Sequence, residues 1–81
     1  MKIEIHLDGS FSTEQHEKLA EISNKIIIDW KMDTVPLTDD YFNLDAFYDR
    51  MPKFTDGGCW QVMDREFFNE DTIILGLMFI Y

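Results

Sequence analysis

Carboxylates are the reactive groups this chain holds in surplus: sixteen Asp and Glu stand against seven Lys and Arg, a formal net charge of −9 at pH 7. From Asp33 to Asp49 there are five aspartates and no Lys or Arg, and from Asp56 to Asp71 five more acids against the single Arg65. Such groups are open to three kinds of chemistry. Paired carboxylates can hydrolyse glycosides, but 81 residues leave little room for a substrate cleft. Clustered acids can hold a hard cation. No calcium loop of D-x-D-x-D-G form is present, however, nor any Cys/His pair at zinc spacing, so no metal or other cofactor is expected. A row of carboxylates can also stand where phosphates would, on the cationic surface of another protein. The one thiol, Cys59, follows Gly57-Gly58 with no cation nearby in sequence to favour a thiolate. It reads as a small core cysteine. His6 and His16 read as surface residues, and no catalytic residue is expected.

The surplus charge limits the partners. Nine like charges repel one another and cost stability, though they also keep a small protein dispersed. DNA, RNA and anionic membranes would repel the chain, so direct nucleic-acid or membrane binding is not expected. A basic nucleic-acid-binding protein or enzyme would attract it. The competing interpretation is a solvated surface whose acids serve solubility alone.

An apolar content of 46% and 15% aromatics argue for one folded domain, 1–81, and against disorder. A lone cysteine gives no disulfide framework. The first ten residues lack the apolar core of a signal peptide, and the longest apolar run, 73–81, falls short of the ~20 residues a membrane helix needs. A cytoplasmic location is expected.

Strict alternation over 2–7 predicts a strand, with Ile3, Ile5 and Leu7 on one face. Ser12 with Gln15 three residues on forms a capping box that opens a helix over 13–23, with Asn24 as a left-handed stop. Residues 26–32 predict a second strand, 33–37 a loop. Thr38 followed by Asp39 and Asp40 looks like a helix start, and Tyr41, Leu44, Tyr48 and Met51 make an apolar stripe at helical spacing up to Pro52. A turn at 55–58 leads to a third strand over 59–63, with Trp60 and Val62 on one face. Residues 64–71 fit a loop, a helical turn or a strand edge. The run 72–81 predicts a long final strand, central or covered, with Gly76 marking a bulge or a close backbone approach. If that strand lay at the sheet edge it would invite a homodimer. The expected fold is α/β (α+β): a two-layer sandwich with a mixed four-stranded sheet and two helices in the order β-α-β-α-β-β. Trp30 and Trp60 are expected in its core.

On the expected second helix Asp45 and Asp49 stand at i and i+4, about 5–6 Å apart, with Asp39 and Asp40 extending the patch. Tyr41, Phe42, Phe47 and Tyr48 supply more aromatics than one buried stripe requires, and aromatics beside acids suit a protein interface. The segment Tyr41-Phe42-Asn43-Leu44-Asp45-Ala46-Phe47-Tyr48-Asp49 resembles the helix motif of the barstar family of ribonuclease inhibitors. That family carries a Tyr-Tyr-Gly-x-Asn-Leu-Asp-Ala-Leu-Trp-Asp pattern, and it too begins with a strand followed by a helix. The resemblance implies a nuclease inhibitor in which Asp45 and Asp49 reach into a cationic active site, with Tyr41 or Phe42 as the aromatic beside them. In overall character the chain also resembles the small acidic phage proteins that mimic DNA to block restriction enzymes, CRISPR effectors or repair glycosylases. The expected partner-binding set is therefore Asp39, Asp40, Tyr41, Phe42, Asp45, Tyr48 and Asp49, with Asp64, Glu66, Glu70 and Asp71 as a second row. A structural or adaptor domain that pairs with itself through the apolar C-terminal strand is the alternative.

Overall fold

Ile3, Ile5, Ile73, Leu75 and Leu77 leave two neighbouring strands on the same side and are at most 1% exposed. The computed structural model describes residues 1–23 and 25–80. Its elements are β1 (Lys2–Asp8), α1 (Thr13–Ala20), β2 (Ile26–Asp29), β3 (Tyr41–Phe42), β4 (Cys59–Phe67) and β5 (Thr72–Ile80), with 3-10 turns at Leu44–Ala46 and Lys53–Thr55. The strands form one five-stranded sheet in the order β2-β1-β5-β4-β3. β1 and β5 run parallel and every other neighbouring pair is antiparallel, so the sheet is mixed.

This corrects the expected four-stranded sheet with two helices: five strands form, and one α-helix. The missing helix is the one expected over 38–51, and the cause is non-local. Asp39 takes φ 75°, in the left-handed region, where a right-handed helix cannot pass. The carboxylate of Asp40 accepts from the Leu37 N–H at 2.8 Å, closing a turn with the side chain. Such local bonding is how Asp competes with helix. The backbone then pairs with β4: Asp39 N–H donates to the Val62 carbonyl at 2.7 Å, and Val62 N–H donates to the Asp40 carbonyl at 2.8 Å. Phe42, opposite Trp60, is buried and stacks on Trp30 with ring centroids 6.1 Å apart. The apolar stripe is real in composition but not in space: Leu44 is buried, Tyr48 and Met51 pack on the core, and Tyr41 faces solvent.

Where local signals decide, sequence and structure agree. The Ser12 hydroxyl accepts from Gln15 N–H at 3.2 Å while the Gln15 side chain accepts from Ser12 N–H at 3.0 Å. α1 ends at Ala20 and continues as turns through Ser23, shorter than expected, and buries only Leu19. The stop expected at Asn24 and the strand end expected at Tyr81 lie outside the described residues. β2 ends at Asp29, before the expected residue 32. Trp30 then turns the chain back, its indole N–H donating to the Thr34 carbonyl at 2.9 Å. β4 extends four residues past the expected Met63, so 64–67 are strand. Asp71 N–H donates to the Asn69 side chain at 2.8 Å in the tight connection to β5.

The two faces of the sheet differ. On the inner face the β1, β2, β3 and β5 side chains are buried, with only Leu7 partly open, as are Trp60 and Val62 of β4. Phe11, Val35, Tyr48, Met51 and the 3-10 turns cover that face. On the outer face, among the described residues, no side chain is buried. Each inner aliphatic residue removed from water contributes about 1.5–3 kcal/mol, so folding stability comes from one side of the sheet.

Gly58 lies under the ring of Phe79, and a Cβ there would collide with it. Phe79 in turn packs edge-on against Trp60, with centroids 5.0 Å apart. Gly58→Ala is therefore expected to lower the unfolding free energy by about 1–3 kcal/mol. Urea denaturation followed by tryptophan fluorescence checks this; an unchanged midpoint would contradict the packing described.

Candidate functional site

Adjacent residues on a strand point to opposite faces, and this divides the expected contact set. Tyr41 is 71% exposed on the outer face beside Gln61, whereas Phe42 is 5% exposed and points inward. Phe42 is thus a core residue, and Tyr48, half-buried against the core, is only partly accessible. Asp45 lies in the middle of the first 3-10 turn and is exposed, as is Asp49 beyond it. They do not share a helix face, so the one-turn pairing of their carboxylates does not form. Asp39 and Asp40 are exposed on a turn rather than at a helix start.

The acids are instead arranged along β4. Asp45 borders a shallow hollow with Gly58, Cys59 and Trp60 at one end of that strand. Asp39 and Asp40 are bonded to its middle, at Gln61 and Val62. Asp64 and Glu66 lie on its outer face opposite Gly76 and Ile74. Glu70 and Asp71 are exposed in the turn that follows. A nine-residue strand spans about 26 Å, so the acids follow one side of the sheet for most of its length.

Their charge is not neutralised locally. Ion pairs join Lys18 to Glu14, Lys31 to Asp29, His6 to Glu4 and the α-amino group to Asp71. Among the described residues, Asp39, Asp40, Asp45, Asp49, Asp64, Glu66 and Glu70 have no ion-pair partner. Arg65, the one cation in the middle of the row, points inward: its guanidinium lies over the Phe67 ring at 5.3 Å, with Nη1 3.4 Å from the Pro36 carbonyl. The outer positions of β4 thus carry two acids, Asp64 and Glu66, beside neutral Cys59 and Gln61, and no cation.

The thiol and the two imidazoles lie apart from one another. Cys59 is exposed opposite Ile80, not the core residue expected. His6 lies two strands away and bonds Glu4 at 2.6 Å, while His16 packs edge-on against Phe11. Among the described residues, no three His, Cys, Asp or Glu side chains come together as metal ligands. Among the described residues, no helix is long and apolar enough to cross a membrane.

One feature escaped the sequence reading. Register places Glu4, Ile74 and Glu66 in one row across the outer face, and His6, Gly76 and Asp64 in the next. The acids thus flank an apolar spine on the central strand. The signal was present in the alternation of β1 and in Gly76, but which residues flank that glycine is fixed only by strand order.

Comparison with models of known families, with curated proteins and with solved structures finds no match to this chain.

Because Asp45 and Asp49 are exposed and unpaired, the double variant Asp45→Lys/Asp49→Lys is expected to keep the wild-type unfolding free energy within about 0.5 kcal/mol. Asp40→Ala removes the turn-closing acceptor and is expected to cost about 1 kcal/mol. Chemical denaturation of the two variants side by side measures the contrast, and equal midpoints would remove the structural role given to Asp40.

Proposed function

We propose that this protein is a non-enzymatic inhibitor that occupies the basic nucleic-acid-binding site of a nuclease or another DNA- or RNA-processing enzyme. It would act as a charge mimic of the polynucleotide. The observation that carries this reading is the row of exposed, unpaired carboxylates along β4, with Arg65 turned away from it. A solubility device needs charge but no such segregation by face; a surrogate for a phosphate backbone needs an uninterrupted anionic track.

The mechanism is steric and electrostatic competition. Long-range attraction between a −9 protein and a cationic cleft raises the encounter rate. Once docked, acid–Arg and acid–Lys pairs shed water, and exposed Tyr41 offers an aromatic anchor among Asp39, Asp40 and Asp45. A phage counter-defence protein, of the anti-restriction or anti-CRISPR kind, and an immunity partner of a toxic nuclease would both use this physics. The barstar likeness of 41–49 bears on the second; it rests on residue types, since the segment is a short strand and a 3-10 turn here. The homodimer alternative has less geometry behind it: β5 is paired on both sides and offers no free edge.

The test is retention of host proteins on the immobilised chain, followed by a challenge with duplex DNA or with RNA. Nucleic-acid enzymes are expected to be retained, to be released by the polynucleotide, and to bind more slowly as salt rises. A variant with Lys at 39, 45, 49, 64 and 66 is expected to retain none of them. Retention that ignores both the polynucleotide and the charge reversal would defeat the proposal.

A further inference from the structure

The outer face of the sheet carries one concavity built by backbone pairing. Along β5 the outward residues are Ile74, Gly76, Met78 and Ile80, an apolar spine on the central strand. At Gly76 the spine has no side chain, and a hollow of about 280 Å³ opens between Ile74 and Met78. His6 and Asp8 line one side, Met63 and Asp64 the other. The register of β4 breaks between Val62 and Asp64, and this bulge brings Asp64 opposite Gly76. Its carboxylate lies so close over the glycine that a Cβ there would collide with it. Bulges re-aim side chains in this way. The glycine and the bulge together make a pit with Ile74 and Met78 at its two ends and the Asp64 carboxylate over its glycine floor.

We infer that this hollow is a socket for one Arg or Lys side chain of the protein partner. The inference rests on the proposed function and deepens it by naming where an anchoring contact is made. A long cationic side chain has the matching structure, an apolar stem under a charged head. The head descends to the Asp64 carboxylate over Gly76, with Asp8 on the β1 side, and the stem lies against Ile74, Met78 and Met63 above it. Charge chooses the occupant. The outer strand positions carry Glu4, Asp8, Asp29, Asp64 and Glu66 against Lys2 and His6. A second copy of the chain laid on this face would set acid flank against acid flank, and a nucleic acid or an anionic membrane would be repelled. A cationic protein surface is attracted, and the apolar spine gives it area to bury that the acids along the outer edge do not.

Two arms test this. In the first, butylguanidinium is titrated into the protein while Met and Ile methyl signals are followed by NMR. Saturable shifts confined to Met63, Ile74 and Met78 are expected, lost in Asp64→Ala; shifts spread evenly over exposed methyls, or none, overturn the socket. In the second, Gly76→Met and Asp64→Ala are compared with wild type in the retention assay. Both are expected to hold polynucleotide-displaceable partners about tenfold more weakly, and Asp64→Ala removes no core contact should Gly76→Met fail to fold. If wild type retains such partners and Asp64→Ala retains them equally, the socket is wrong while the inhibitor reading stands. If wild type retains none and the methyl titration is positive, the inhibitor reading fails and the socket survives. A stable dimer in light scattering that shields the Ile74 and Met78 methyls overturns the choice of occupant.

Discussion

A five-stranded sheet has two faces, and this chain has material to cover one. Among the described residues the one α-helix is eight residues long and buries one side chain. The inner face is closed mainly by irregular chain: Trp30, the two 3-10 turns and the residues between them. Among the described residues nothing packs over the other side. That face carries a central strand that is apolar on both sides. Flanking acids on β1 and β4 resolve that conflict, and they also give the face its chemical character. The scarcity of covering material and the excess of carboxylates are thus two aspects of one constraint.

The parts of the fold legible in the sequence are those whose causes are local. Alternation fixes β1, the Ser12/Gln15 box fixes the start of α1, and the run of β-branched and apolar residues fixes β5. The glycine in that last strand does mark a close approach, but by the Asp64 side chain and not by backbone, and the bulge lies in β4 opposite it. Residues 38–51 were misread because their local signals conflict with a distant partner. Thr38-Asp39-Asp40 has the composition of a helix start, yet the same aspartates close a turn with side-chain and left-handed backbone geometry. Tyr41 and Phe42 are good strand residues once β4 is beside them, and nothing within the segment reveals that β4 will be.

The absence of a helix over 38–51 rearranges the candidate site. On a helix, Asp45 and Asp49 would form one compact patch. On the observed backbone the acids are strung along a strand, and Phe42 is withdrawn into the aromatic stack with Trp30 and Phe47. The acids at 64 and 66 gain importance, since they sit on a sheet face rather than in a loop. They also serve the fold. Beyond its short pairing with β3, the outer edge of β4 has no strand neighbour, and charged residues on such an edge discourage pairing with other chains.

The parallel pairing of β1 with β5 joins residues about seventy positions apart, and it lies at the centre of the sheet. β1 carries Ile3 and Ile5, but the strand that buries them follows about seventy residues later in the chain. Until β5 takes its place, the β1–β2 and β3–β4 pairs have no strand to join them in the sheet. Such long-range closure is slow. The nascent chain must stay dispersed meanwhile, and mutual repulsion among its many carboxylates gives it a means of doing so before any native surface exists.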